Sequence, residues 1–267
     1  MIFKNAETED FFHQQGYVKL PLISQKGIEN IIELFKKTAK YSGLESKFYT
    51  SIWSDNKDYK KKVDQELKRI LKPFLDEHFK DYQTAFANFM VKRSGTSSAL
   101  QPHQDWTFVK EPEHYSLTVW IPLRDVSKNN GALEVFPGSN KLKNYVRARF
   151  MNSPFSAHNE YIEKELMKSI PVKKGEALLV NSRTIHASPD NLSGEDRIVA
   201  SIVVCPKSTP LVHFVLVEES EVEKLTVDQN FYVKYSCFDK PSNAGDCSIS
   251  SLEIKPLSLS ELTNLLN

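Results

Sequence analysis

The sequence predicts a mainly β fold with flanking helices, a barrel or jelly roll behind a helical layer. Three observations carry this expectation. Two stretches of helical periodicity lie in the first third of the chain; short apolar runs separated by turn signals follow from about residue 85; and the length, 267 residues, suits one large all-β domain. No repeat, low-complexity stretch or linker interrupts the chain. A single domain over 1–267 is therefore expected, with a helical layer mainly over 1–84, a β core over about 85–206 and a C-terminal extension over 207–267.

The elements follow in order. "KGIENIIELFKKTAKYS", residues 26–42, sets Ile28, Ile31, Ile32 and Phe35 at helical spacing. Residues 57–80 do the same with Val63, Leu67, Ile70, Leu71, Phe74 and Leu75, and Pro73 inside them predicts a kink or a break. "TAFANFMVK" is apolar and aromatic. "HYSLTVWIPL" alternates Leu117, Val119 and Ile121 with Ser116, Thr118 and Trp120, as a strand does. "GALEVF" is closed by the turn signal "PGSN", "GEALLV" is a short buried run, and "RIVASIVVC" is strongly β. "LVHFVLV" supplies one more strand, and "LSLSELTNLL" a surface helix.

Composition excludes several function classes. Lys plus Arg number 35 and Asp plus Glu 34, a formal charge of +1, so nothing draws the chain to nucleic acid or to an anionic membrane. The densest basic run, "KDYKKKVDQELKRILK", carries Asp and Glu between its lysines and reads as the wet face of a helix. No apolar run approaches the roughly 20 residues of a membrane span, and "MIFKNAETED" has no apolar secretory stretch. Cys205, Cys237 and Cys247 are odd in number and match no metal-binding spacing. Reduced thiols in a cytoplasmic protein are expected, with Cys205 a buried small hydrophobe. The expected partner is a small-molecule substrate; no nucleic acid, membrane or obligate protein partner is visible.

The chemistry begins at "QPHQDWTF". His103 and Asp105 stand two apart, and on a strand or at its end residues i and i+2 share a face about 6.5–7 Å apart. Two histidines and one carboxylate form the facial triad of non-haem Fe(II) oxygenases, which leaves positions open for substrate. A second histidine is therefore required. Of the seven histidines, His186 fits: it lies in "ALLVNSRTIHASPD", about eighty positions beyond Asp105, and Arg197 follows eleven positions later. An arginine on a barrel strand is costly to bury unpaired, and its guanidinium grips carboxylates in a bidentate fork. Singly, each residue reads as ordinary polar surface; in this order they supply a metal triad and an anion anchor.

The chain resembles the phytanoyl-CoA dioxygenase-like family of Fe(II)/2-oxoglutarate-dependent oxygenases. The likeness is carried by "HQDWT", "VWIPLRDVSKNNGALEVFPGSN" and "GEALLVNSRTIHASPDNLSGEDR", and by the opening "FFHQQGYVKLPLIS". It covers about residues 8–206 and is densest over 100–205. It implies a double-stranded β-helix, a cupin-like jelly roll. It implies His103, Asp105 and His186 as iron ligands, with 2-oxoglutarate and O2 as co-substrates. Arg197 would hold the distal carboxylate of 2-oxoglutarate, with Ser188 at the same end, Trp120 bordering it, and Gln104 and Asn88 in its pocket. Family halogenases carry a small residue in place of the aspartate, so Asp105 implies hydroxylation of an unactivated C–H bond rather than halogenation, with release of succinate and CO2; desaturation or ring formation by the same chemistry stays open. Where the family often has His after "PGS", this chain has Asn140.

Two alternatives stay open: a non-oxidative, metal-dependent cupin-like enzyme using the same triad, and a catalytically silent binding homologue. Specificity is expected from Trp106 and Phe108 and from residues 139–169, too long a connection to be ordinary. That segment holds Tyr145, Phe150, Phe155, Arg147 and Arg149. It is either a cationic surface with its aromatics packed on the barrel, or a lid in which Arg147 or Arg149 meets an anionic group of the substrate.

Overall fold

The computed structural model describes residues 2–21, 23–41, 46–218, 221–235, 247–251 and 254–264. Three helices form the first layer: α1 (Ala6–Gln15), α2 (Gln25–Thr38) and α3 (Lys57–His78). Asn5, Ser24 and Asn56 cap their N-termini through side-chain oxygens. α3 runs through Pro73 without a break, because its apolar residues are buried in the core on both sides of the proline, Val63, Leu67 and Leu71 before it and Phe74 and Leu75 after it.

The first sheet has six strands in the order β1 (Tyr17–Leu20), β8 (Ala177–Asn181), β5 (Leu117–Pro122), β10 (Arg197–Pro206), β3 (Tyr82–Lys92) and β2 (Phe48–Thr50). A second sheet has the order β4 (Leu100–His103), β9 (His186–Ser188), β6 (Glu134–Val135) and β7 (Lys168–Ser169). All recorded strand pairs are antiparallel, and the fold is a jelly roll with helices on one side. β5 is buried on both faces, which hides the polar side its sequence suggests. Leu117, Val119 and Ile121 pack under the helices, while Thr118 and Trp120 face the interior of the roll. β3 divides likewise, with Ala87 and Phe89 outward and Phe86, Asn88 and Met90 inward.

"ALLVNSRTIHASPD" is not one strand. It splits into β8 of the first sheet and β9 of the second, joined by a turn that α1 holds in place. Gly16, at φ 77°, ends α1; its carbonyl accepts from Thr184 Oγ1 at 2.7 Å and Asn181 N at 2.8 Å. A Cβ at Gly16 would lie 2.3 Å from Thr184 Oγ1, so only glycine permits this approach. Asn140 donates to the His13 carbonyl at 2.9 Å, so the residue that departs from the family pattern fastens α1 to the roll.

The C-terminal extension adds a third sheet, β11 (Leu211–Glu218), β12 (Glu221–Val227) and β13 (Cys247–Ser251), and the short helix α5 (Phe231–Lys234). It packs on the roll: Val212 N donates to Phe108 O at 2.9 Å, and Tyr232 lies 4.8 Å from the Phe86 ring. The helix expected at the end is α6 (Leu259–Thr263), with a capping box between Ser258 and Glu261. Residues 139–169 form turns, the one-turn α4 (Asn159–Tyr161) and a π turn over Ile162–Leu166. Phe155, Ile162 and Leu166 pack with Leu257 and Leu262, so the second half of this segment is outer wall. Cys205 is buried and unbridged, and burial raises its thiol to about 12; Cys237 lies outside the described residues. No helix of the described residues is long and apolar enough to cross a membrane.

Candidate metal centre

β4 and β9 pair in a register that sets His103 directly opposite His186. Their rings lie 4.3 Å apart, and Asp105, just past the end of β4, brings Oδ1 to 3.8 Å from His186 Nε2. One ligand atom from each of the three residues falls within 4.8 Å of the others, the only such group of three or more among the described residues. Each imidazole is oriented by a carbonyl two residues upstream: His103 Nδ1 lies 2.7 Å from Gln101 O, and His186 Nδ1 lies 2.9 Å from Thr184 O. A proton on Nδ1 makes both bonds and leaves Nε2 as the free donor atom, the tautomer a metal requires. Asp105 Oδ2 accepts from Thr118 Oγ1 at 2.9 Å, which fixes the carboxylate. Burial and the neighbouring His186 pull His103 down to about 4, so it is neutral at physiological pH.

The three residues open on a cavity of about 240 Å³ that also reaches Arg197 and Trp120. Arg197 is 1% exposed and lies over the Trp120 ring, its carbon 5.2 Å from the ring centre. It donates through Nη1 to the Gly131 carbonyl, while its Nε has no partner. Burial lowers Arg197 to about 9, which leaves it a cation at neutral pH. The Ser188 hydroxyl is also buried and unpartnered. Lys92 is Arg197's register partner and fully buried; it donates to Ser188 O at 3.0 Å and Pro189 O at 2.6 Å. Burial, with Arg197 nearby, brings its amine down to about 7. A buried guanidinium with an unpartnered Nε forms an environment that an anion relieves, and an anion there would also favour the protonated form of Lys92. A divalent ion at the triad and a carboxylate at Arg197 therefore fit the groups present.

Gln104 and Asn88 also line this cavity. Asn88 is engaged on both sides, donating to Thr50 Oγ1 and accepting from Ser201 Oγ. Gln104 donates to the Arg183 carbonyl, which orients its amide and leaves Oε1 buried without a partner. Trp106 and Phe108 line the cavity as well. Arg147 takes a role other than the one its sequence context suggests. Its guanidinium is spent on Glu111 in a bidentate pair at 2.7 and 2.9 Å, on the Asp105 carbonyl at 2.6 Å and on the Tyr145 carbonyl at 2.9 Å. Those bonds occupy four of its five N–H groups, so little remains for a substrate anion. Arg149 lies in the wall of an adjoining cavity of about 210 Å³.

Several residues of the site were not singled out by sequence reasoning. Thr118 had a signal, since it lies two before Trp120 on the same strand face. Glu111, Lys92 and the aromatics Phe48, Trp53 and Phe86 had none, because folding brings them to the site from separate parts of the chain, with only Phe86 and Lys92 sharing an element.

A family model described as phytanoyl-CoA dioxygenase matches residues 27–199. The chain is 30% identical over 118 residues to phytanoyl-CoA dioxygenase domain-containing protein 1 of Danio rerio, 42% of this chain and 40% of that protein. It is 31% identical over 120 residues to the phytanoyl-CoA dioxygenase of Arabidopsis thaliana, 43% and 42% of the two chains. The matched region thus spans about two fifths of these relatives. Among solved structures, the α-ketoglutarate-dependent carbocyclase SnoK from nogalamycin biosynthesis superposes with a TM-score of 0.54 at 18% identity, covering 78% of this chain and 86% of SnoK. HygX from Streptomyces hygroscopicus, solved with nickel and 2-oxoglutarate bound, gives 0.54 at 14% identity over 76% and 88% of the two chains. At these identities the structural likeness is one of fold.

Proposed function

The chain belongs to the phytanoyl-CoA dioxygenase family, and from that premise we propose that it is an Fe(II)- and 2-oxoglutarate-dependent oxygenase that hydroxylates an unactivated C–H bond of a small organic substrate. One observation carries this reading: a His-Asp-His triad and a buried arginine with an unpartnered Nε share one cavity. Bound Fe(II), with 2-oxoglutarate and O2, supplies the oxidising power for C–H hydroxylation, with succinate and CO2 as co-products.

The chain's own groups do the rest. His103, Asp105 and His186 would hold the ion. Thr118 keeps one oxygen of Asp105 engaged, so the other is presented. Arg197 and Ser188 bind the distal carboxylate at the closed end of the roll, and Trp120 walls that end. Trp106 and Phe108 contact the substrate and exclude water from the cavity. Arg149, in the adjoining cavity, faces the more polar part of the substrate.

Arg197→Ala tests the reading. A charge-assisted bidentate partner is lost, and the apparent KM for 2-oxoglutarate should rise by a factor equivalent to about 2–5 kcal/mol. The binding of metal should persist. An unchanged KM would leave Arg197 a packing residue and favour a non-oxidative use of the triad.

A further inference from the structure

The open side of the metal ligands is divided between two cavities, and they differ in chemistry. The inner one, about 240 Å³, contains four ionisable side chains among its described lining residues: His103, Asp105, His186 and Arg197. All four are assigned to the metal and the co-substrate in the function proposed above, on which this inference rests. The rest of its described lining is uncharged, mostly aromatic and aliphatic, with Thr50, Asn88, Gln104 and Thr118 as its polar members. Phe86 lies six positions along β3 from Lys92, the register partner of Arg197, about 20 Å at a strand's rise per residue. Phe108 and Trp106 extend this wall, while Phe48, opposite Lys92 in the sheet, packs on Trp53 at 6.0 Å. The wall is rigid: Phe86 and Phe108 meet edge to face at 5.5 Å, and Tyr232 of the extension backs them at 4.8 and 5.9 Å. The outer cavity, about 210 Å³, shares His103, Gln104 and Trp106 with the inner one, so the two meet beside the metal ligands. Its other described walls include Arg149, Asn152 and Ser153, and no acidic side chain.

We propose that the primary substrate is bipartite: an uncharged, ring-sized apolar group enters the inner cavity against the Phe86–Phe108–Trp106 wall, and its charged or strongly polar remainder stays in the outer cavity beside Arg149, Asn152 and Ser153. Two physical arguments fix this. Drug-sized ligands fill pockets of about 300–1,000 Å³, and the inner cavity is smaller and shared with the co-substrate. A charge carried into it would be desolvated with no counter-charge to meet, whereas an apolar ring gains from the aromatic wall. Zwitterionic amino acids, whose charges lie close to every carbon, are disfavoured as the reacting group.

The test uses three ring probes of one size: neutral benzyl alcohol, benzoate and benzylammonium. Each is titrated by ligand-observed NMR into protein loaded with Zn(II) and saturating 2-oxoglutarate, so that Arg197 is occupied. A parallel set with Mn(II) reads proximity, because a bound probe near the ion shows enhanced proton relaxation. Benzyl alcohol should bind at least about tenfold more tightly than either charged probe, with relaxation enhanced by Mn(II). Phe86→Ala should weaken it, and the milder Phe86→Leu should do so less. Equal or tighter binding of a charged probe, neutral binding without Mn(II) relaxation, or no probe binding at millimolar concentration would each overturn the inference. The oxygenase reading fails separately, in the loading step, if 2-oxoglutarate does not bind the metal-loaded protein or binds equally well to Arg197→Ala.

Discussion

At the scale of single residues, the site is held by groups that touch neither metal nor substrate. Thr118 fixes Asp105 through one hydrogen bond of 2.9 Å. Removing such a support typically lowers metal affinity about 10- to 100-fold. Thr118→Val should do so in an anaerobic metal titration, and Thr118→Ser should restore most of it; an affinity unchanged in Thr118→Val would make the hydroxyl mere packing. The histidines set the pH response of the metal-free protein. His103 and His213 are both pulled down to about 4, chiefly by burial. An unfolded histidine titrates near 6.5, so below that value the unfolded chain takes up protons that the folded one refuses. The stability these groups contribute is thus complete above about pH 6.5 and is lost as pH falls toward 4. Apo-protein melting temperatures measured across pH 7 to 4 should fall in that window, and a flat profile would contradict the burial of both rings. At this scale the cluster of His103, Asp105 and His186 was legible from spacing, as was the buried Arg197 that shares their cavity. Glu111 was not: it lies 36 positions from Arg147, and no local pattern announces a pair made by folding.

At the scale of elements, the segment between "PGSN" and β7 is divided in function. Its second half is wall, with Phe155 fully buried, and its first half lines the outer cavity. Arg147 joins the two to the metal centre. Its backbone exchanges hydrogen bonds with Thr107 at 3.0 Å, and its side chain reaches the Asp105 carbonyl and the buried Glu111 carboxylate. Breaking a buried pair by removing one partner costs about 3–5 kcal/mol, because the other charge stays buried. Arg147→Ala should lose that much in urea unfolding and also bind metal more weakly, since the stretch bearing Asp105 is freed. Arg147→Met combined with Glu111→Leu should recover much of the stability. A stability loss near zero in Arg147→Ala would place the pair in water. Sequence pattern found α2 and α3, whose stripes answer to one packed face, and β5 and β10, which are buried on both. The alternation found β5 but does not reveal that its Thr118–Trp120 face is buried too, because that face belongs to the cavity. It also missed the division between β8 and β9, which rests on Gly16 approaching Thr184 from a distant helix.

At the scale of the whole molecule, the jelly roll, its helical layer and the C-terminal extension all bear on one cavity. The helices bury the outer face of the six-stranded sheet and so fix the strands whose inner face carries Thr118, Trp120, Asn88 and Phe86. The extension, for which the sequence offered no motif, packs Phe231 and Tyr232 behind Phe86 and Phe108. Its contribution is three-dimensional, and a linear pattern of apolar residues does not reveal which wall they back. The central claim is that His103, Asp105 and His186 form one metal site whose ion and Arg197 together bind 2-oxoglutarate. The most direct measurement is anaerobic equilibrium dialysis of Fe(II) with and without 2-oxoglutarate, on the wild type and on His186→Ala. One Fe(II) per chain is expected in the wild type, bound more tightly when 2-oxoglutarate is present, as reciprocal coupling of the two ligands requires. Both effects should vanish in His186→Ala. Unchanged Fe(II) binding in that variant, or Fe(II) affinity indifferent to 2-oxoglutarate in the wild type, would contradict the site.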